Sequence, residues 1–194
     1  MLDPTQPWIG VAFRHASPPV AKDRIISCLT QGPFVHTEII LGDGKGGMRA
    51  YAARDNTSGF CPSNSFNSAR GSRHTWTTIR YSLSSPQAYK YVYAIILQLI
   101  SLALPYNSQD LWQCCVQIAL PFEHDLDCQY PETWKASGVF CSQVALLILR
   151  RLAREGILPL VPDSIQAVNS RGCSPNQLFR LLTYDRPVCV LPLP

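Results

Sequence analysis

The chain has 194 residues, of which 46% are apolar and 15% charged, and its formal net charge is +4. That length suits one domain, residues 1–194, with a core of its own, and the composition excludes a disordered tail. Basic residues are scattered except for Arg150, Arg151 and Arg154. These fall in the last turns of a helical pattern, where cations complement the helix dipole, so nucleic acid is not an expected partner.

Eight cysteines raise the question of a disulfide scaffold. The start Met-Leu-Asp-Pro-Thr-Gln-Pro lacks the basic and apolar stretches of a signal peptide, no C-x-x-C pair occurs, and Cys114 and Cys115 are adjacent. The expectation is therefore buried free thiols in a reducing, intracellular setting. His124 and Cys128 lie four apart, but no further ligands stand at familiar spacing, so neither a metal nor another cofactor is expected. The longest apolar run, Tyr91 to Leu104, is short of the roughly 20 residues a membrane span needs and reads as a core helix. An interfacial membrane helix stays open as the alternative.

The elements follow in order. Trp8 to Arg14 predicts a strand that ends at His15-Ala16-Ser17-Pro18-Pro19, and Lys22 to Leu29 a short helix closed by Gln31-Gly32-Pro33. Phe34 to Leu41 and Met48 to Ala53 predict two strands of a hairpin, joined by a glycine-rich turn. Asp55 to Arg73, rich in Asn, Ser and Gly, predicts a long loop, read as a lid with Phe60 and Phe66 as rings that cover a substrate; the alternative is a solvent-exposed connection with both rings tucked onto the core. Thr75 to Leu83 is a further strand. Ser85-Pro86 caps a helix that runs to about Leu104. A third helix is expected over Gln109 to Leu120, a fourth over Phe140 to Arg154 up to Gly156, and a fifth from Ser174-Pro175-Asn176-Gln177 to about Leu182. Arg186 to Leu193 reads as an edge strand because of its prolines. The sum is an α+β domain: a small antiparallel sheet packed against helices.

Four features converge on chemistry. Cys141 stands at the start of an apolar helix, where unpaired N–H groups and the dipole lower a thiol's pKa. His36 interrupts an apolar strand, and Glu38, two residues on, shares its face and can orient the imidazole. Leu104-Pro105-Tyr106-Asn107 lies between two helices and can bring a phenol to a pocket. Ser137 and Gly138 precede the cysteine and leave room for a substrate. Taken singly, each has a plainer use in packing or in a solvated strand face.

In this order the motifs resemble the papain-like NlpC-type superfamily in its circularly permuted branch, which includes YiiX-like hydrolases, lecithin retinol acyltransferase relatives and many viral proteins. Gly32-Pro33-Phe34-Val35-His36-Thr37-Glu38-Ile39 is similar to that family's "G-P-x-S-H-x-E-I" strand, Arg54-Asp55 to its "R-D", and Leu104-Pro105-Tyr106-Asn107 to its "x-P-Y-D". Phe140-Cys141-Ser142-Gln143 is similar to its F-C-S-E, and Ser174-Pro175-Asn176-Gln177-Leu178 to its late "S-P-N-x-L" helix. The likeness spans about residues 8 to 182. It departs at Gln143 for glutamate, at Asn107 for aspartate, and at Ala50 and Ala52, where relatives often carry serine or glutamate.

The resemblance implies a cysteine peptidase or amidase-type hydrolase of papain-like fold, acting on a peptide, protein or lipid acyl group. Cys141 is its expected nucleophile and His36 its base. Glu38 is the expected third member, with Asp55 or a backbone carbonyl as alternatives. Tyr106, Ser142 and Asp55 are the expected substrate-binding residues, with the Cys141 N–H and Tyr106 facing the oxyanion. It also admits a viral protein in a host cell. Two other classes stay open: a lipid acyltransferase or phospholipase-like enzyme at a membrane, and a catalytically silent binding module. The substrate, the oligomeric state and the source organism are not legible in the sequence.

Overall fold

The computed structural model describes residues 5–54, 59–64, 75–108 and 138–184. Five strands form one antiparallel sheet: β1 (Trp8–His15), β2 (Phe34–Gly42), β3 (Met48–Arg54), β4 (Gly59–Ser63) and β5 (Trp76–Ser82), in the order β4-β3-β2-β1-β5. Alternation sorts their side chains onto two faces. Ile9, Val11 and Phe13 of β1, Ile39 and Leu41 of β2, and Tyr51 and Ala53 of β3 enter the main core. His36, Glu38, Ala50, Ala52 and Arg54 alternate with them and belong to the other face.

Four helices are described: α1 (Ala21–Leu29), α2 (Pro86–Ser101), α3 (Cys141–Arg154) and α4 (Pro175–Thr183). α2 starts on the Ser85 hydroxyl, which accepts from the Ala88 N–H at 3.1 Å, and α4 on the Ser174 hydroxyl, which accepts from the Gln177 N–H at 3.2 Å. Val92, Ile95, Ile96 and Leu99 form the buried stripe of α2, while Tyr91 and Leu97 face outward. α3 is buried almost all round and packs along β2 and β3. It closes on a Schellman turn: Gly156, at φ +71°, bonds its N–H to the Ala153 carbonyl, and the Ile157 N–H bonds to that of Leu152. Among the described residues no helix is long and apolar enough to cross a membrane.

Three expectations are corrected. The stretch expected as a loop and lid contains β4, whose Phe60 is 2% exposed and packs in the main core beside Tyr51. Gly-Phe-Cys-Pro-Ser reads as turn chemistry, yet Pro62 is tolerated because β4 ends the strand order. Arg150 does not serve the helix dipole at the surface: it is fully buried, with Nε on the Ile165 carbonyl at 2.6 Å and Nη2 on that of Val168. Arg151 does reach Glu155, at 3.2 Å. Of the free thiols described, Cys141 and Cys173 are buried and Cys61 partly so, but Cys28 is exposed, against the expectation of buried cysteines. The helix expected over Gln109 to Leu120, the strand over Arg186 to Leu193, and Phe66 lie outside the described residues.

Candidate active site

Cys141 is the first residue of α3, after the extended Phe140. The segment leading into it is held by the chain around Tyr106, which forms a parallel bridge with Val139: the Asn107 N–H bonds to the Val139 carbonyl at 3.0 Å and the Val139 N–H to that of Pro105 at 2.8 Å. Gly138 has φ +71°, and a Cβ there would stand 2.8 Å from the Pro105 carbonyl oxygen. This glycine makes room for the protein's own backbone rather than for a substrate. The Gln143 side chain accepts from the Phe140 N–H at 3.4 Å, so it fills the role of a glutamate three residues into a helix.

His36 and Glu38 come from β2. The β2–β3 ladder runs from Gly42↔Met48 to Ile39↔Tyr51, so the His36–Glu38 stretch lies beyond its end. The β1 partners of these two residues are Arg14 and Ala12. Arg14 leans away toward Asp23, which it grips at 2.7 and 2.9 Å. The His36 and Trp76 rings stand edge to face with centroids 6.3 Å apart. Glu38 Oε1 lies 3.5 Å from His36 Nε2. The Cys141 thiol and the His36 imidazole lie close enough to shift each other's ionisation, and Thr37 bears on the thiol as well.

Each group shifts the others. Burial pushes the Cys141 thiol up, but the charge and hydrogen bond of His36, with the Thr37 bond, bring it down to about 7. Burial pushes the His36 imidazole down, yet Cys141 and Glu38 raise it to about 9. Burial likewise pushes the Glu38 carboxyl up, and His36, Ser63 and Arg54 return it below its ordinary value. An imidazole that holds its proton more tightly than the adjacent thiol is the arrangement of a thiolate–imidazolium pair. Cys173 is the contrast. Burial drives its thiol up to about 12, and the Arg150 charge offsets only part of that.

The expected substrate-binding residues separate. Tyr106 sits beside the start of α3, half-buried, its ring packed with Ile26, Val35 and Phe140. Ser142 is fully buried and donates to the Cys173 carbonyl at 2.7 Å, so its hydroxyl ties α3 to the start of α4 rather than facing a substrate. Asp55 lies outside the described residues, as do His124 and Cys128. Among the described residues no group of three or more His, Cys, Asp or Glu side chains could hold a metal ion.

Several functional partners escaped sequence reasoning. Arg54 Nη2 donates to Glu38 Oε1 at 2.9 Å and the Ser63 hydroxyl to the same oxygen at 2.7 Å. Arg54 shares strand parity with Ala50 and Ala52 and was legible as a residue of that face; Ser63 was hidden while β4 read as loop. Asn176 is 2% exposed and clasps the start of β2. Its Oδ1 accepts from the Phe34 N–H at 2.9 Å, and its Nδ2 donates to the Phe34 carbonyl at 2.8 Å and the Thr30 hydroxyl at 2.5 Å. His36 follows that clasp by two residues. Gly32 is obligatory beside it, since a Cβ there would stand 2.3 Å from Asn176 Oδ1.

Compared with family models, curated proteins and solved structures, the chain finds no match in any of the three. What the site can do therefore follows from its own atoms. It presents a thiol at a helix N-terminus, an imidazole beside it, and a buried carboxylate on the same strand face as the imidazole.

Proposed function

We propose that this chain is a cysteine hydrolase of the permuted papain-like type, cleaving an amide or peptide, ester or thioester bond through Cys141, His36 and Glu38. The observation that carries this reading is the closeness of the Cys141 thiol, at the first position of α3, to a His36 whose Nε2 faces Glu38. Supporting it is the chain order, with the histidine strand before the cysteine helix, and the thiol drawn down to about 7 in spite of its burial.

In the proposed reaction the Cys141 thiolate bonds to the substrate's carbonyl carbon, and the carbonyl π electrons move to oxygen. N–H groups at the start of α3 then face the oxyanion. Collapse breaks the bond to the leaving group, which takes the proton held by His36. Water next gives one proton to His36 while its oxygen bonds to the acyl carbon. The S–C bond breaks, and the carboxylic acid product leaves behind the thiolate–imidazolium pair. Glu38 stays ionised throughout and keeps the imidazole aligned.

The test is a panel of chromogenic amide, ester and thioester substrates with wild type, Cys141→Ala and His36→Ala. Wild type should turn over at least one class and yield an acyl adduct on Cys141 in mass spectra, with both variants reduced by three or more orders of magnitude (~10³-fold). Turnover that survives in Cys141→Ala would rule the proposal out.

A further inference from the structure

We infer that Arg54 and Ser63 are positioning residues of this site, which hold the Glu38 carboxylate ionised with Oε1 turned to His36 and so set where the proton of the His36–Cys141 pair resides. The inference rests on the thiol chemistry just proposed and extends it to two residues on neighbouring strands.

Glu38 is 1% exposed, and a buried carboxylate without donors takes up a proton rather than remain charged. Three groups converge on its Oε1: Ser63 at 2.7 Å, Arg54 at 2.9 Å and His36 at 3.5 Å. The Ser63 hydroxyl and the Arg54 guanidinium also touch each other. Among the described residues, Oε2 is buried without a hydrogen-bond partner. Within that set the charge depends on one oxygen, which Arg54 and His36 meet.

The strands explain how two distant residues reach it. Ser63 pairs with Ala50 across the β3–β4 ladder, which sets it on the same face as Arg54 and Glu38. Ala50 and Ala52 carry only methyl groups there, so the longer side chains can close over them. Of the other charged or titratable groups on this face, Arg14 is held by Asp23 and Arg80 stacks on Trp8 at 4.2 Å. Cys61 of β4 shares the face, and α3 contributes Cys141.

Without Arg54, Glu38 would protonate or turn away, His36 would lose the charge that favours its imidazolium, and Cys141 would hold its own proton to higher pH. A structural brace alone would lower stability without moving that titration.

The experiment follows iodoacetamide alkylation of each cysteine against pH by peptide mass spectrometry in wild type, Arg54→Gln, Arg54→Lys and Ser63→Ala. Exposed Cys28 is the internal reference and buried Cys173 the fold reporter, since it stays unlabelled while the core is intact. At pH 7 the Cys141 rate should fall about fivefold in Arg54→Gln, the effect of raising a midpoint of about 7 by one pKa unit, and about twofold in Ser63→Ala. Arg54→Lys should restore most of it. A low wild-type midpoint left in place by both Arg54→Gln and Ser63→Ala would overturn this inference alone. A wild-type Cys141 midpoint no lower than the ordinary thiol value of about 8.5 would overturn the cysteine-hydrolase proposal and this inference with it.

Discussion

Glu38 Oε1 lies 3.5 Å from His36 Nε2, the two side chains sharing one face of β2. Burial favours the neutral imidazole, so the raised value of about 9 depends on Cys141 and on this carboxylate. Glu38→Gln keeps the shape and removes the charge. The His36 imidazole, followed by NMR, should titrate near about 9 in wild type and distinctly lower in the variant. A folded-state pKa above the unfolded value of about 6.5 contributes stability that is complete below that value and lost as pH rises through the folded one. Above pH 8, therefore, the stability gap between wild type and Glu38→Gln should narrow. An imidazole titration that Glu38→Gln leaves in place would refute the coupling.

Gly138 and Gly156 share φ +71°, but only the first has a close neighbour: a Cβ at 138 meets the Pro105 oxygen at 2.8 Å, while one at 156 meets nothing within 4 Å. Gly156→Ala should cost about 1 kcal/mol from backbone strain alone. Gly138→Ala adds a clash that displaces the bridge to Tyr106, and should cost about 2–3 kcal/mol more while slowing Cys141 alkylation. Urea denaturation checks the energies. Equal losses in the two variants would show that the Pro105 contact carries no weight.

Asn176 joins the start of α4 to Thr30 and Phe34, so Asn176→Ala removes the side-chain partner of the buried Phe34 N–H and carbonyl, while the Thr30 hydroxyl keeps its bond to the Ile26 carbonyl. Each such group costs about 1–3 kcal/mol, and partial relaxation points to a total of about 3 kcal/mol. Because His36 follows Phe34 by two residues, alkylation of Cys141 at neutral pH should also fall. A melting temperature within a degree or so of wild type would refute the clasp.

Arg150 crosses from the middle of α3 to the carbonyls of Ile165 and Val168. Arg150→Met matches much of its volume but leaves both oxygens without their donor, at a cost of about 2–4 kcal/mol. Calorimetry should show this loss with the Cys141 titration unchanged, since residues 165–168 lie at the far end of α3 from the thiol. A shifted titration would mean that the helix moves as a unit.

These contrasts mark where the sequence was legible. Strand alternation exposed β1, β2, β3 and β5, and Ser-Pro caps exposed α2 and α4, because both signals are local. The shared face of His36 and Glu38 was legible for the same reason. β4 was not: its Gly and Pro mimic a turn, and only pairing with β3 makes it a strand. Arg150 reads as a solvated charge until the 163–168 segment folds over it. Ser142 was expected to bind substrate on the strength of the F-C-S-E resemblance, yet a helix places successive side chains about 100° apart, and its own donates to the Cys173 carbonyl. Long-range partners decide such residues, and local pattern does not contain them.

The most direct measurement of the central claim is the ionisation of Cys141 itself. Thiolate absorbance in the ultraviolet, recorded against pH as the difference between wild type and Cys141→Ser, isolates this thiol from the other seven cysteines. Wild type should ionise with a midpoint of about 7, well below an ordinary thiol, and His36→Ala should move that midpoint upward past 8.5 or so, since burial then outweighs what Thr37 supplies. A wild-type midpoint at the ordinary thiol value, or one indifferent to His36→Ala, would contradict an activated cysteine at the start of α3.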